Sequence, residues 1–397
     1  MLTDKLQTGK LLNLDVIRAV AVFLVIGRHF ALLPTTMPDN SLIRLWERGG
    51  WVGVDIFFVL SGFLVSGLLF REFVRYQRVS IPRFLIRRGL KIYPAFYVFI
   101  IVSVLVRLLT QNNPKWNAVI CECLFIQNYG NHLWEHTWSL AVEEHFYLLL
   151  CIGISLALWY RRPAANPFTG IPAFTLTVAC MVLVLRILTG WFQPFSLQTN
   201  VFPTHLRVDS LLFGVFLSYL YHFRHSVWEG VLYPRRYYIG VLGICLLLPV
   251  FLFQLNTPFI YIFGPTLFYL GGGAFVIFAV SSKQLHNRIG RGLAFLGANS
   301  YSIYLWHLFV CQWVMLVIIQ KVTANSWNWW VYALIYVVGS CAFGILMNRL
   351  VETPVLLLRD KIFPSRSGPI PVSAAAPSSS AEILDLKATV GTGTPHS

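Results

Sequence analysis

The sequence predicts an all-α, polytopic transmembrane helical bundle of about ten spans with both termini cytoplasmic. Three observations carry that expectation. The chain of 397 residues is 56% hydrophobic and only 12% charged, against about 25% charged in a water-soluble domain, so most of its surface faces a solvent other than water. Apolar runs of about 18–25 residues recur along it, each long enough as a helix to cross about 30 Å of hydrocarbon while satisfying its own backbone. The basic residues concentrate between alternate runs.

The spans are expected near 14–33, 50–70, 92–110, 138–160, 171–189, 206–223, 237–254, 260–280, 299–320 and 328–349. The first run follows Lys5 and Lys10 and contains Asp15, Arg18, Arg28 and His29. It lacks a short apolar core leading to a small-residue cleavage site, so it reads as a retained span. With a cytoplasmic amino terminus, 22 of the 31 Lys and Arg residues fall on inner segments, as the preference for basic cytoplasmic loops requires. The net charge of +15 is therefore a topology signal. It does not indicate nucleic-acid binding, because apolar spans interrupt the basic residues and leave no continuous basic face.

Seven cysteines are scattered, five of them (Cys151, Cys180, Cys245, Cys311 and Cys341) inside apolar runs, where they serve as small hydrophobes. Cys121 and Cys123 are one spacer residue short of the C-x-x-C pattern, and no disulfide framework or metal site is expected. From about Ser365 the chain turns to Pro, Ser, Ala, Thr and Gly, a composition with too little apolar surface to offset the entropy of ordering. The organisation expected is a membrane domain over residues 1–360 and a disordered cytoplasmic tail over 361–397. No soluble second domain or internal repeat stands out.

Charged groups in hydrocarbon are costly, so those inside spans are the informative ones. Arg18 and His29 lie eleven residues apart in the first span, about 16 Å along a helix, with Arg18 inner and His29 outer. A structural reading pairs Arg18 with Asp15 on one helical face. Asp55 sits about five residues from the outer end of the second span and needs a cation at that depth; Arg28 and His29 are the expected neighbours. Gly53, Gly62 and Gly67 read as small packing positions in the same span. Glu143 and Glu144 enter the fourth span at a similar depth, roughly 8 Å in. A carboxylate beside imidazole fixes its tautomer and stabilises the imidazolium, which makes His29 a candidate general base. The alternative is a carboxylate pair balancing membrane-embedded arginines.

The segment RFLIRRGLKIYP, read as a cytoplasmic loop, carries Arg87, Arg88 and Lys91 within five positions. Such a cluster sets topology, contacts anionic lipid, or captures phosphate through paired guanidinium donors. The H-x-x-E-H run from His132 to His136 occupies a short outer loop without the long helix that a zinc-protease site needs. His307 is a lone intramembrane histidine, with packing or a hydrogen bond to another span as its expected role.

In order along residues 11–356, the chain carries LNLDVIRAVAVFLVIGRHF, GVDIFFVLSGFL, RRGLKIYP, WSLAVEEHFYL, LRVDSLLFG, LGANSYSIYLWH and VETP. This ordered set resembles the integral-membrane acyltransferase family 3, whose bacterial members modify surface and secreted glycans. The resemblance implies a bacterial cytoplasmic-membrane O-acetyltransferase that uses an acyl-coenzyme A donor, most often acetyl. It implies His29 and Glu143 as the catalytic pair and the basic motif as the donor contact. Lys91 stands where the family has a third arginine, and His145 where it usually has glutamine.

The expectations are then as follows. Arg18, Arg87, Arg88 and Lys91 contact the acyl-coenzyme A; Asp55 and Glu144 contact substrate; and a glycan, lipid-linked saccharide or small hydroxylated molecule accepts the acyl group. Membrane lipid is the remaining partner, and self-association is left open. Two rivals stand beside this reading. One is a proton-coupled transporter or lipid-linked glycan flippase, since His, Asp and Glu at one depth also suit a proton relay. The other is a non-catalytic scaffold in which the polar residues are structural.

Overall fold

The computed structural model describes residues 11–33, 37–110, 113–160, 166–314 and 328–366. Among the described residues every regular element is helical. Six helices among the described residues are long and apolar enough to cross a membrane. They run Val52–Tyr76 (α3), Ile81–Leu109 (α4), Glu135–Tyr160, whose α-helical part is Trp138–Tyr160 (α6), Ile171–Phe192 (α7), Gly264–Ser281 (α10), and Trp329–Ile362. The last combines Trp329–Met347 (α13), a π turn, and Thr353–Ile362 (α14).

A pair, His225–Leu232 with Arg236–Leu252 (α9), passes the same test together but is bent by 82°. Leu12–Arg28 (α1) has 17 residues and Val208–Phe223 (α8) has 16, so both fall short of a full crossing by length. The expected span 299–320 begins as Ser300–Phe309 (α12) and a π turn to Val314; its remainder lies outside the described residues. So do Arg161 and Arg162, and the expected tail beyond Arg366. Residues Leu11–Pro364 form one compact unit. Ser365 and Arg366, the last described residues, fall outside it.

Local chemistry places the helix ends. Asn40, Asn287 and Asn328 accept hydrogen bonds from the first-turn amides of Ser41–Gly49 (α2), Arg288–Ala298 (α11) and α13, satisfying donors that the helix itself cannot reach. Gln77, with φ of 52°, ends α3 in the left-handed region. The segment RFLIRRGLKIYP is helical, in contrast to the expected loop: α4 begins at Ile81 and runs for 29 residues. That is about 44 Å, some 14 Å more than the hydrocarbon thickness. Arg and Lys are good helix formers, so the backbone stays helical where the side chains cease to suit lipid.

Close crossings organise the bundle around α3. A Cβ on Gly62 would lie 2.0 Å from the Leu211 carbonyl of α8, and one on Gly214 would lie 2.2 Å from that of Val59. Gly53 packs in the same way on the Ala21 carbonyl of α1. In lipid, where burying apolar surface gains little, such backbone approach is a main source of helix association. The Gly53 and Gly62 positions are therefore the packing points that the sequence suggests.

Candidate active site

Three polar layers lie within the described unit. The first centres on His29. It follows the last turn of α1, where its amide donates to the Ile26 carbonyl. Its ring contacts His307 of α12 at a centroid distance of 5.1 Å, and His307 contacts His136 at 5.0 Å. Tyr304, one turn before His307, donates to the His136 carbonyl at 2.7 Å and shares a 2.6 Å hydrogen bond with Ser139. His29 and His136 line a cavity of about 60 Å³ with Arg28, Trp51, Glu135, Trp138 and Tyr304 among its other walls.

The loop that delivers His136 is anchored by Glu122, on the short helix Trp116–Cys123 (α5) outside the spans. Its Oε1 accepts from the Leu133 and Trp134 amides, each at 3.1 Å, and from Thr137 Oγ1 at 2.7 Å. Burial pushes the Glu122 carboxyl up to about 7.

The second layer is on α6. Glu143 accepts from the Tyr147 hydroxyl at 2.5 Å and lies 3.5 Å from Arg88 of α4. Arg88 also donates to the Tyr147 hydroxyl and stacks over its ring. Ser61 shares a hydrogen bond of 2.5 Å with Tyr147, so it is a polar partner in this layer as well as a small residue. Glu144 accepts from Tyr93 at 3.0 Å. Seven residues separate His136 from Glu143, about 10 Å along a helix axis. The expected His29–Glu143 pair is therefore not formed: among the described residues Glu143 serves Arg88 and Tyr147, and His29 meets His307. A helix places residues 136 and 143 two turns apart, and the long Arg88 side chain reaches the lower of them.

The third layer is the basic end of α4. Arg87 pairs with Asp360 of α14 at 2.9 Å and donates to the Phe363 carbonyl; Arg83 donates to that of Pro364. Arg18 pairs with Asp15 at 3.3 Å, as the structural reading of that pair has it. Lys91 has no hydrogen-bond partner among the described residues. Its four-carbon stem and three donors leave it the least committed cation of the motif.

Asp55 departs from expectation. It is fully buried and pairs with Arg207 at 2.6 Å, while Arg28 is held by Glu47. Asp209, two residues after Arg207, pairs with Arg186 of α7 at 2.6 Å. Arg207 is further enclosed by Trp51, Phe58 and Trp138. Desolvated ions in hydrocarbon require such partners, so Asp55 forms a helix-to-helix bridge with Arg207 in place of the expected contact with Arg28 or His29. His145 shares a 2.8 Å hydrogen bond with Thr204, away from Glu143. No group of three or more His, Cys, Asp or Glu among the described residues has a geometry that could hold a metal ion.

A family model described as an acyltransferase domain matches residues 11–349. The chain belongs to the integral-membrane acyltransferase family 3. Within that family it is 26% identical to the peptidoglycan O-acetyltransferase OatA of Listeria monocytogenes over 372 residues, covering 86% of this chain and 55% of that protein. It is 25% identical to the O-acetyltransferase OatA of Staphylococcus aureus over 371 residues, covering 86% of this chain and 57% of that protein. This acyltransferase-family chain thus spans just over half the length of these curated relatives. No solved structure matches it.

Sequence reasoning missed His136, Tyr147, Tyr304, Glu135 and Arg207 as members of these polar layers and their supports. His136 was weighed only within H-x-x-E-H, although its position at the entry to an acidic span was a usable signal. Arg207 and Asp209 sit together in LRVDSLLFG, where two charges opening an apolar run call for partners from other spans.

Proposed function

We propose that the protein is a bacterial cytoplasmic-membrane O-acyltransferase. It moves an acyl group, acetyl in the first instance, from cytoplasmic acyl-coenzyme A to a hydroxyl of a glycan or other surface or secreted acceptor. The observation that carries this reading is His29 at the wall of a cavity, with the Arg88–Glu143–Tyr147 layer deeper and the basic end of α4 beyond it. His29 takes the proton of the acceptor hydroxyl as that oxygen attacks the thioester carbonyl; the C–S bond then breaks and the proton passes to the departing coenzyme A thiolate. Relatives named O-acetyltransferases support the reaction class.

The residues assigned to the donor suit a polyphosphate unequally. Arg87, in a pair 20% exposed on its side and 52% on that of Asp360, can exchange its carboxylate for phosphate at the membrane surface. Arg88, 19% exposed, is held instead by Glu143, whose own side chain is only 17% exposed, and by the Tyr147 hydroxyl. We therefore place Arg87, Arg83 and Lys91 at the phosphates, and Arg88 with Glu143 along the path of the acyl-pantetheine arm. The catalytic unit is assigned to residues 1–360.

The test is label transfer in membranes containing the full chain, supplied with radiolabelled acetyl-coenzyme A and read as label in the glycan fraction. His29→Ala should lower the rate by about 10²–10⁴-fold at equal protein level. Undiminished labelling removes His29 from the reaction. No labelling by the unmodified protein, with flux of a lipid-linked saccharide in its place, returns the transport reading.

A further inference from the structure

We infer that His307 is a positioning residue for His29, supplying the hydrogen-bond acceptor that a carboxylate supplies in other histidine-based sites. The inference rests on the reading of His29 as the base given above.

The argument begins with which ring nitrogens are spoken for. His307 Nδ1 lies 2.5 Å from the Tyr304 carbonyl, and a carbonyl only accepts, so Nδ1 carries the hydrogen. Nε2 of the neutral ring is then a bare lone pair. It is buried, and no partner reaches it among the described residues. His136 has the complementary arrangement. Its Nε2 donates to the Leu305 carbonyl at 3.1 Å, so Nδ1 is the lone pair, and it too is buried without a partner. A charged ring at either position would hold a second N–H with no acceptor, which the interior makes costly.

The cluster therefore contains two acceptors facing a shortage of donors. Two lone pairs do not bond each other, and the third ring, His29, has an N–H to give. Its ring contact is with His307, at 5.1 Å between centroids and 46° between planes. In this structure the two rings touch without a hydrogen bond between them; a turn of the His29 ring toward His307 Nε2 brings its N–H within bonding reach. His307 is fully buried and does not line the cavity, whereas His29 does. His307 thus stands behind His29 as seen from the cavity.

The consequence is a fixed tautomer. Once the His29 ring turns to donate to His307 Nε2, its other nitrogen presents its lone pair to the cavity, where an acceptor hydroxyl arrives. Glu143 is unavailable for this role, being held by Arg88 and Tyr147. Glu135 lines the cavity with His29 but is exposed, so it is a weaker means of fixing a buried ring. Tyr304 holds both ends of the device: its carbonyl sets the His307 tautomer, and its hydroxyl ties down the His136 backbone.

Two substitutions separate the nitrogen that positions from the nitrogen that merely anchors. His307→Asn keeps an N–H near the Nδ1 position for the Tyr304 carbonyl and offers nothing at the reach of Nε2. His307→Gln carries its amide oxygen out to that reach. Both are compared by initial rate of label transfer from radiolabelled acetyl-coenzyme A to the glycan fraction, in membranes with full-length protein quantified by immunoblot and by monodispersity after extraction. The expected result is a kcat about 10²–10³-fold down in His307→Asn with KM for the donor unchanged, and at least a tenfold recovery of kcat in His307→Gln. Equal rates in the two folded variants, or a rate higher in His307→Asn, overturn the inference. His29→Ala is run beside them: if it transfers label at full rate, the base assignment itself fails, whereas loss there with normal His307→Asn fails only the positioning role.

Discussion

Asp55 and Arg207, 152 residues apart in sequence, meet at 2.6 Å with their side chains 0% and 1% exposed. The pair ties α3 to the segment that opens α8, the two helices whose Gly62 and Gly214 backbones touch. Removing one partner strands an ion in a low-dielectric interior, at a cost of about 3–5 kcal/mol. Asp55→Leu should therefore lower the thermal midpoint in detergent sharply, and Asp55→Leu with Arg207→Met should recover most of it. A double variant as unstable as the single one argues against a pairwise role.

The Gly62 contact makes a separate claim. A Cβ at 2.0 Å from the Leu211 carbonyl has no flexible side chain to displace, so Gly62→Ala forces the two helices apart. Overpacking of this kind costs about 1–3 kcal/mol or more. Gly153, which has nothing within 4 Å of a built Cβ, is the matched control. Equal melting of Gly62→Ala and Gly153→Ala would refute the close crossing.

At the basic end of α4, Arg87 pairs with Asp360, so the proposed phosphate contact of Arg87 would have to displace that carboxylate. Asp360→Asn should lower the KM for acetyl-coenzyme A by about 2–5-fold, and Arg87→Ala should raise it about tenfold, an energy near 1.4 kcal/mol. These shifts belong in KM, with kcat held. Opposite signs in the two variants are the signature to look for in initial-rate curves.

Glu122 predicts a pH dependence of stability. Its carboxyl is held up at about 7 by burial, against an ordinary value of 4.5. Between those two values the folded state binds more protons than the unfolded state, so stability falls as pH rises from about 4.5 to about 7 and then levels off. Glu122→Gln lacks this contribution. Its thermal midpoint should gain on the unmodified protein between pH 5 and pH 8, and a constant difference across that range would count against the buried carboxyl as its source.

Helix existence was legible because it depends on local chemistry. Residues 138–160 are a helix as expected, and 171–189 extends only to Phe192. The basic start of α4 reads as a loop in the sequence because hydropathy reports the solvent that side chains prefer, whereas helix formation depends on backbone hydrogen bonds that Arg and Lys do not disturb. The motif residues likewise declared their importance, yet not their partners. Depth along separate helices suggested His29 with Glu143 and Asp55 with Arg28; side-chain reach and helix rotation joined them to His307, Arg88 and Arg207.

The sequence by itself determined that this chain is a helical membrane protein of the acyltransferase family, because apolar run length, basic-loop bias and the order of motifs are linear properties. Only the tertiary structure decided which charges are neutralised in the interior and which imidazoles touch. Those outcomes depend on the rotation and offset of helices against one another, and a crossing as close as Gly62 on Gly214 is what sets them.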